Sequence, residues 1–213
     1  MELRWITPDE IPDVIRMEGT TNTFHASAEY HRKETILYDP ARTLAAFDRG
    51  KMVGTTAANG RTMVVPGGSL PTAAISTVMV LPTHRRRGIM TRMIDRHLRD
   101  IHERGEILTA LRASDTRIYG RFGFGVSAFK EDWSIERHNA AFIEPPVPKG
   151  QMRFIKPEEA ASLFSTVYEQ AWPSKIGMMD RNAAAWHYLL ADIEEDRQGG
   201  SPFFHAVYEV DGQ

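Results

Sequence analysis

The four consecutive residues Arg85-Arg86-Arg87-Gly88 carry three guanidinium groups and a glycine. They follow an apolar run, Val78-Met79-Val80-Leu81, that stops at Pro82, and they precede an amphipathic pattern that starts at Ile89. A strand that feeds a helix through such a turn aims the first backbone N–H groups of that helix at one spot. Those groups lack intrahelical partners, and the helix dipole adds partial positive charge. The spot suits a phosphate or pyrophosphate. Arginine adds fork-shaped donors, and Gly88 lets the backbone come close to a ligand. Two plainer readings are a basic patch for nucleic acid and a solvated charge cluster. A nucleic-acid patch is normally longer and accompanied by more positive charge. Only the phosphate cradle explains both the strand before the turn and the helix after it.

A second chemical group stands in Ile118-Tyr119-Gly120-Arg121-Phe122-Gly123-Phe124-Gly125. The phenol of Tyr119 is suited to protonating a leaving group, and equally suited to packing against Phe122 and Phe124. The glycine spacing is wrong for a dinucleotide fingerprint and no helix follows, so a tight bend that seats Tyr119 is expected. His84, inside the arginine turn, is within reach of a ligand there. His97 and His102, five residues apart on one helix, are poorly spaced to share a metal and are expected to be exposed. Trp133, Trp172 and Trp186 are read as packing or interface residues. No pair of carboxylates has metal-binding spacing. The chain has no cysteine, which excludes disulfides, zinc–thiolate sites and cysteine nucleophiles.

These groups need a frame. Glu2 to Ile6 reads as a strand. Thr7-Pro8-Asp9-Glu10 opens a helix with apolar positions Ile11, Val14, Ile15 and Met17. A second helix is expected from Ser27 to about Ile36. Thr43 to Phe47 and Met52 to Met63 form a hairpin through Asp48-Arg49-Gly50-Lys51, with Gly54 and Gly60 as bulges or bends. Pro71 to Leu81 is a long strand rich in β-branched residues. Gly88 to about Arg104 is a helix with Ile89, Met93, Ile94, Leu98 and Ile101 on one face, stopped by Gly105. Ile107 to Leu111 is a strand, Ser114-Asp115 opens a short helix through Tyr119, and Val126 to Ile135 reads as a final strand pair. The strand–helix–strand crossover requires parallel strands, so the class is α/β with a mixed sheet.

Glu144-Pro145-Pro146-Val147-Pro148-Lys149-Gly150 reads as a linker. Residues 1–143 then form one domain. Residues 151–213 begin a second, repeating the opening order of strand, helix, helix and strand: Met152 to Ile155, Pro157 to Gln170, Asn182 to Leu190 and Phe203 to Val210. The sequence ends at Asp211-Gly212-Gln213, where a hairpin turn is expected to start, so the second domain is read as truncated.

With 213 residues, 42% hydrophobic and 25% charged, the composition is that of a soluble globular protein. A net charge of −2 argues against a nucleic-acid binder. No apolar stretch approaches the ~20 residues of a membrane span, and no signal peptide opens the chain. A cytoplasmic protein without nucleic-acid or membrane partners is expected.

Arg85-x-x-Gly88-x-Met90 after a strand resembles the acetyl-CoA signature of the Gcn5-related N-acetyltransferase (GNAT) superfamily, Gln/Arg-x-x-Gly-x-Gly/Ala, with Met90 departing from it at the last place. The longer strings Pro82-Thr83-His84-Arg85-Arg86-Arg87-Gly88 and Ile118 through Gly125 resemble the Eis (enhanced intracellular survival) family of multi-acetylating N-acetyltransferases. The resemblance covers most of the first domain and extends more weakly across the second. It implies a GNAT fold followed by the start of a degenerate GNAT-like copy, and acetyl-CoA as co-substrate. By it, Val78, Met79 and Val80 offer strand-edge backbone groups to the pantetheine arm and the thioester. Arg86, Arg87, Gly88, Ile89, Met90 and Thr91 surround the pyrophosphate, and Ser114 and Asp115 lie near the coenzyme. Tyr119 is the general acid.

The family's base is a C-terminal carboxylate from a third domain, which this sequence does not display, and Gln213 is not assigned that role. The resemblance further implies a primary amine acceptor, aminoglycoside-like or lysine-like, and a homo-oligomer, hexameric in the family. The region of Glu29, Tyr30 and His31 covers the acceptor pocket in the superfamily. The competing expectations are a non-catalytic acyl-CoA-binding or scaffold module, and a nucleotide-phosphate binder with a different chemistry.

Overall fold

The computed structural model describes residues 1–129, 131–145, 147–197 and 199–210. A five-stranded sheet runs in the order β1 (Glu2–Trp5), β2 (Thr43–Asp48), β3 (Lys51–Val65), β4 (Gly68–Val80) and β5 (Leu108–Leu111). The first four strands pair antiparallel, and β5 runs parallel to β4. The β2–β3 connection is the two-residue turn read from the sequence. Arg49 and Gly50 both take positive φ, 50° and 74°, which matches the twist of the flanking strands.

Helices cover both faces. On one lie α1 (Ile11–Asn22) and α2 (Ala28–Thr35). The Ser27 hydroxyl caps α2 by accepting from the Tyr30 N–H at 3.0 Å. Ile11, Val14 and Ile15 of α1 pack with Ile6, Ala45, Phe47 and Ala57 of the sheet side. On the other face, α3 (Ile89–Glu103) sets Ile89 and Met93 against Leu44, Ala46 and Val53. Gly54 permits this approach: a Cβ there would stand 3.1 Å from Met93 Cε and 3.2 Å from Ile89 Cγ2.

The α3 stripe also contains His97, and here the expectation of exposure is overturned. His97 is fully buried, with Nδ1 3.2 Å from the Thr56 hydroxyl and its ring edge-on to Trp5. Positions 89, 93, 97 and 101 recur every fourth residue, so burial of the stripe carries the imidazole inward with the aliphatic side chains. His102 is exposed, as expected.

A second sheet pairs β6 (Gln151–Ile155) antiparallel with β7 (His205–Glu209), with α4 (Pro157–Ala171), α5 (Ala183–Leu190) and α6 (Glu194–Arg197) between them in sequence. This part grips the far end of β3. Asp180 and Thr62 exchange bonds through Thr62 N–H to Asp180 Oδ1 (2.7 Å) and Asp180 N–H to Thr62 O (3.0 Å). Trp186 is buried, edge-on to Tyr168, and the Trp172 indole donates to Glu169 at 2.9 Å.

The strand pair expected over Val126 to Ile135 is absent among the described residues. Phe129 is 89% exposed, and so is 84% of Trp133, which therefore packs against no core. β-propensity describes fit to a pleated, half-buried surface, and among the described residues no neighbouring strand provides one. The residues of the expected linker hold no helix or strand among those described, and Pro146 lies outside the described residues. So do Asp211, Gly212 and Gln213, where the hairpin turn was expected.

Candidate active site

The site begins where β4 outruns β5. The parallel ladder joins Thr72 to Leu108 through Ile75 to Leu111 and stops there, while β4 continues to Val80. Val78, Met79 and Val80 therefore carry backbone groups on that side with no strand beside them among the described residues. A bulge precedes them. Thr55 pairs with Met79 but Ala57 with Ser76, so β4 holds one extra residue, and Thr77 there takes φ 53°. The Thr55 hydroxyl pins the distortion by donating to Thr77 O at 2.9 Å.

Beyond β4, Pro82–His84 form one 3-10 turn and the chain doubles back through Arg85–Gly88 into α3. Arg86 and Gly88 take positive φ, 62° and 71°. Gly88 caps α3 without a side chain, so the N–H groups of Ile89, Met90 and Thr91 keep the orphan status of a helix start. His84 Nε2 approaches Asp48 Oδ2 at 3.4 Å, and Arg85 Nε donates to Val80 O at 3.4 Å, which ties the turn to the strands.

A cavity of about 800 Å³ joins these features, within the size range of small-molecule sites. Of the residues singled out in the sequence, Val78, Met79 and Val80 line one part of it. Arg86, Gly88, Ile89, Met90 and Thr91 line another, and Ser114 and Asp115 a third. Arg87 is not among the lining residues. Asp115 also accepts from the Arg117 N–H at 3.0 Å and pairs with its guanidinium at 2.9 Å, which holds its carboxyl below the usual range. Unforeseen lining comes from Thr21 and Asn22 at the end of α1, and from Ile118 and Arg121. Nothing in the local sequence of α1 marked them; the packing of α1 on the sheet brings them there.

Tyr119 is buried and does not itself line the cavity, although Ile118 and Arg121 on either side of it do. Its ring stands edge-on to Phe124, centroids 5.8 Å apart. The bend expected around it is present: Phe122 N–H bonds to Tyr119 O at 3.0 Å, and Gly123 takes φ 90°. Burial raises the phenol's pKa, so it stays protonated at neutral pH. Among the described residues no group of three or more histidine, aspartate or glutamate side chains is placed to hold a metal, and no helix is long and apolar enough to cross a membrane.

Residues 2–127 match the acetyltransferase (GNAT) domain family. An uncharacterized N-acetyltransferase of Streptomyces avermitilis is 35% identical over 174 residues, covering 81% of this chain and 42% of that protein. The N-acetyltransferase Eis of Mycobacterium tuberculosis is 34% identical over 163 residues, covering 70% of this chain and 40% of its own. The crystal structure of Eis1 from Mycobacterium abscessus superposes with a TM-score of 0.73 at 27% identity, covering 98% of this chain and 51% of that one. The chain thus spans about half the length of these relatives, or less. The fold is the mixed-sheet GNAT fold. The chain belongs to the acetyltransferase (GNAT) domain family and is similar, within it, to the Eis N-acetyltransferases.

Proposed function

We propose that the chain transfers an acetyl group from acetyl-CoA to a primary amine within a ternary complex. One observation carries this reading: the end of β4 that runs beyond its ladder with β5 and the orphan amides at the start of α3 open onto one cavity. A coenzyme with amides along its arm and a pyrophosphate at its middle matches those two kinds of donor. The amides of Val78 to Val80 pair with the arm and stabilise the oxyanion formed at the thioester. Those of Ile89 to Thr91, with Arg86, hold the pyrophosphate. Arg87 is left outside this set. A neutral amine nitrogen bonds to the acetyl carbon and the carbon–sulfur bond breaks; the sulfur takes a proton from Tyr119, whose hydroxyl must enter the cavity to deliver it, and the proton shed by the nitrogen passes through solvent to restore the phenol.

The acceptor is an amine of aminoglycoside or lysine type. Residues 1–143 are the coenzyme-binding unit, 144–150 the linker and 151–213 part of a second GNAT-like unit. The resemblance to the Eis proteins supports a homo-oligomer, and the absence of an apolar spanning helix among the described residues is consistent with a cytoplasmic setting.

The test is thiol release from acetyl-CoA with kanamycin and a blocked lysine, comparing the native chain with Tyr119→Phe. Loss of the acid is expected to lower kcat by about 10²-fold or more. Unchanged turnover removes Tyr119 from the role. A second reading, acyl-CoA binding without turnover, is favoured by the burial of Tyr119 away from the cavity lining. It predicts coenzyme binding by calorimetry with no thiol released for any amine. Tighter binding of ATP than of CoA in the same calorimeter defeats both.

A further inference from the structure

A second cavity, of about 320 Å³, opens where the segment between α2 and β2, the middle of β3 and the start of α5 meet. It shares no lining residue with the cavity proposed for the coenzyme. Its wall is rich in donors. Arg42 and Arg61 bring guanidinium groups, and Asn59 and Asn182 bring side-chain amides. Asp39 is the single acid among the lining residues, and its Oδ1 accepts from the Ala41 N–H at 2.9 Å. Most of the donors are unused. Arg42 commits both terminal nitrogens to Glu106, and its remaining Nε is buried with no hydrogen-bond partner among the described residues. The Arg61 guanidinium and the Asn59 amide form no hydrogen bond, ion pair or ring contact among the described residues. Asn182 uses its side-chain oxygen to cap α5, accepting from the Ala185 N–H at 2.9 Å, which leaves its NH₂ group open.

We propose that this cavity binds a small oxyanion, a carboxylate or phosphate group, between the guanidinium groups of Arg61 and Arg42, with Asn59 and Asn182 donating to its outer oxygens. Two guanidiniums and two amides on one concave wall are the donor set that such a group satisfies. A donor left buried without an acceptor is a cost to the fold that a bound oxygen removes. Glu106 already balances the charge of Arg42, so Arg61 supplies the net attraction and Arg42 adds direction. The inference goes beyond the acetyltransferase reading and does not depend on it. With less than half the volume of the other cavity, this one suits a small acid rather than a whole coenzyme.

The wall is set before a ligand arrives. Gly60 lines the cavity, and a Cβ there would stand 2.9 Å from Arg42 Nη1 and 3.1 Å from Glu106 Oε1. The bare backbone thus lets the Arg42–Glu106 pair lie against β3, and that pair holds the guanidinium in place, which lowers the ordering cost of binding. Asn182 belongs to α5, whereas Asn59 and Arg61 belong to β3. A bound anion therefore joins two parts of the chain, and it stabilises the folded form in proportion to its saturation.

The experiment follows the arginine Nε–H groups of the full chain by nitrogen NMR, and its melting temperature, as inorganic phosphate or malonate is added. Sodium chloride holds the ionic strength constant, and either saturating CoA or the Arg86→Gln substitution silences the other cavity. The Arg42 and Arg61 signals are expected to shift saturably with at least one of the two anions, and the melting temperature to climb with it. A response to phosphate alone makes this a phosphate site, and a response to malonate extends it to carboxylates. Arg61→Gln is expected to weaken the binding by about 10-fold or more. Asn59→Asp, which sets a carboxylate in the wall, is expected to do the same, each with CoA Kd within about twofold of native. Arg42 and Arg61 signals that neither anion moves, or an Arg42 signal that moves equally in Arg61→Gln, overturn the inference and leave the acetyltransferase reading standing. Should the native chain bind no CoA, that reading falls, and the Arg86→Gln arm still decides the fate of this cavity.

Discussion

His97 Nδ1 lies 3.2 Å from the hydroxyl of Thr56, and its Nε2 is buried with no partner among the described residues. An imidazolium has two donors, and this site accepts at most one of them. Burial accordingly depresses the His97 pKa to about 4. The neutral ring is the folded form, while the unfolded chain binds a proton near pH 6.5. Stability is fully present above pH 6.5, falls as pH drops, and levels off below about 4. Urea unfolding of the native chain is expected to show a loss on the order of 3 kcal/mol from this group across that window. His97→Leu is expected to flatten this component of the curve, and an unchanged slope contradicts the assignment.

Gly54 is fixed by space, since its φ is ordinary. The α3 side chains and Met79 O, at 3.2 Å from a hypothetical Cβ, would have to give way slightly to admit any side chain. Gly54→Val is expected to destabilise the fold by about 1–3 kcal/mol and to weaken coenzyme binding by lifting the start of α3. Thermal melts and calorimetric titration read the two effects separately.

Gly88 presents the opposite case. A Cβ there meets nothing within 4 Å, but φ is 71°. Gly88→Ala is expected to cost roughly 1–2 kcal/mol of local strain and to relax the turn, weakening acetyl-CoA binding by about 10-fold or more while the melting temperature moves by only a few degrees. Native affinity in this variant would show that the turn's conformation does not hold the ligand.

Arg42 and Glu106 form a two-pronged ion pair, 2.8 Å and 2.5 Å, with both side chains largely buried beside Gly60. Removing one partner strands a buried charge. Arg42→Met is expected to cost about 3–5 kcal/mol, and the double variant with Glu106→Met much less than two such losses. Chemical denaturation of the single and double variants checks the coupling, and additive losses contradict it.

How far the sequence foretold this molecule depended on the range of each interaction. The hairpin at Arg49-Gly50, the turn at Gly88 and the stop at Gly105 are local geometry written in local residue types, and each formed where expected. The burial of His97 is set by its place in a four-residue stripe, which its spacing from His102 does not reveal. Thr21 and Asn22 belong to no motif. Only the packing of α1 on the sheet brings them to the cavity wall. The segment after Gly125 shows the converse: Phe129, Trp133 and Ile135 have the composition of strands, but among the described residues no ladder partner stands beside them.

The cavity is held to bind a coenzyme at two points at once, the amides beginning α3 and the loose end of β4. The most direct measurement is a crystal structure of the chain soaked with acetyl-CoA. The expected result has the pyrophosphate on the N–H groups of Ile89 to Thr91, the thioester along Val78 to Val80 and the Tyr119 hydroxyl turned in beside the sulfur. A coenzyme bound elsewhere, or Tyr119 still packed on Phe124 with the thioester in place, contradicts it.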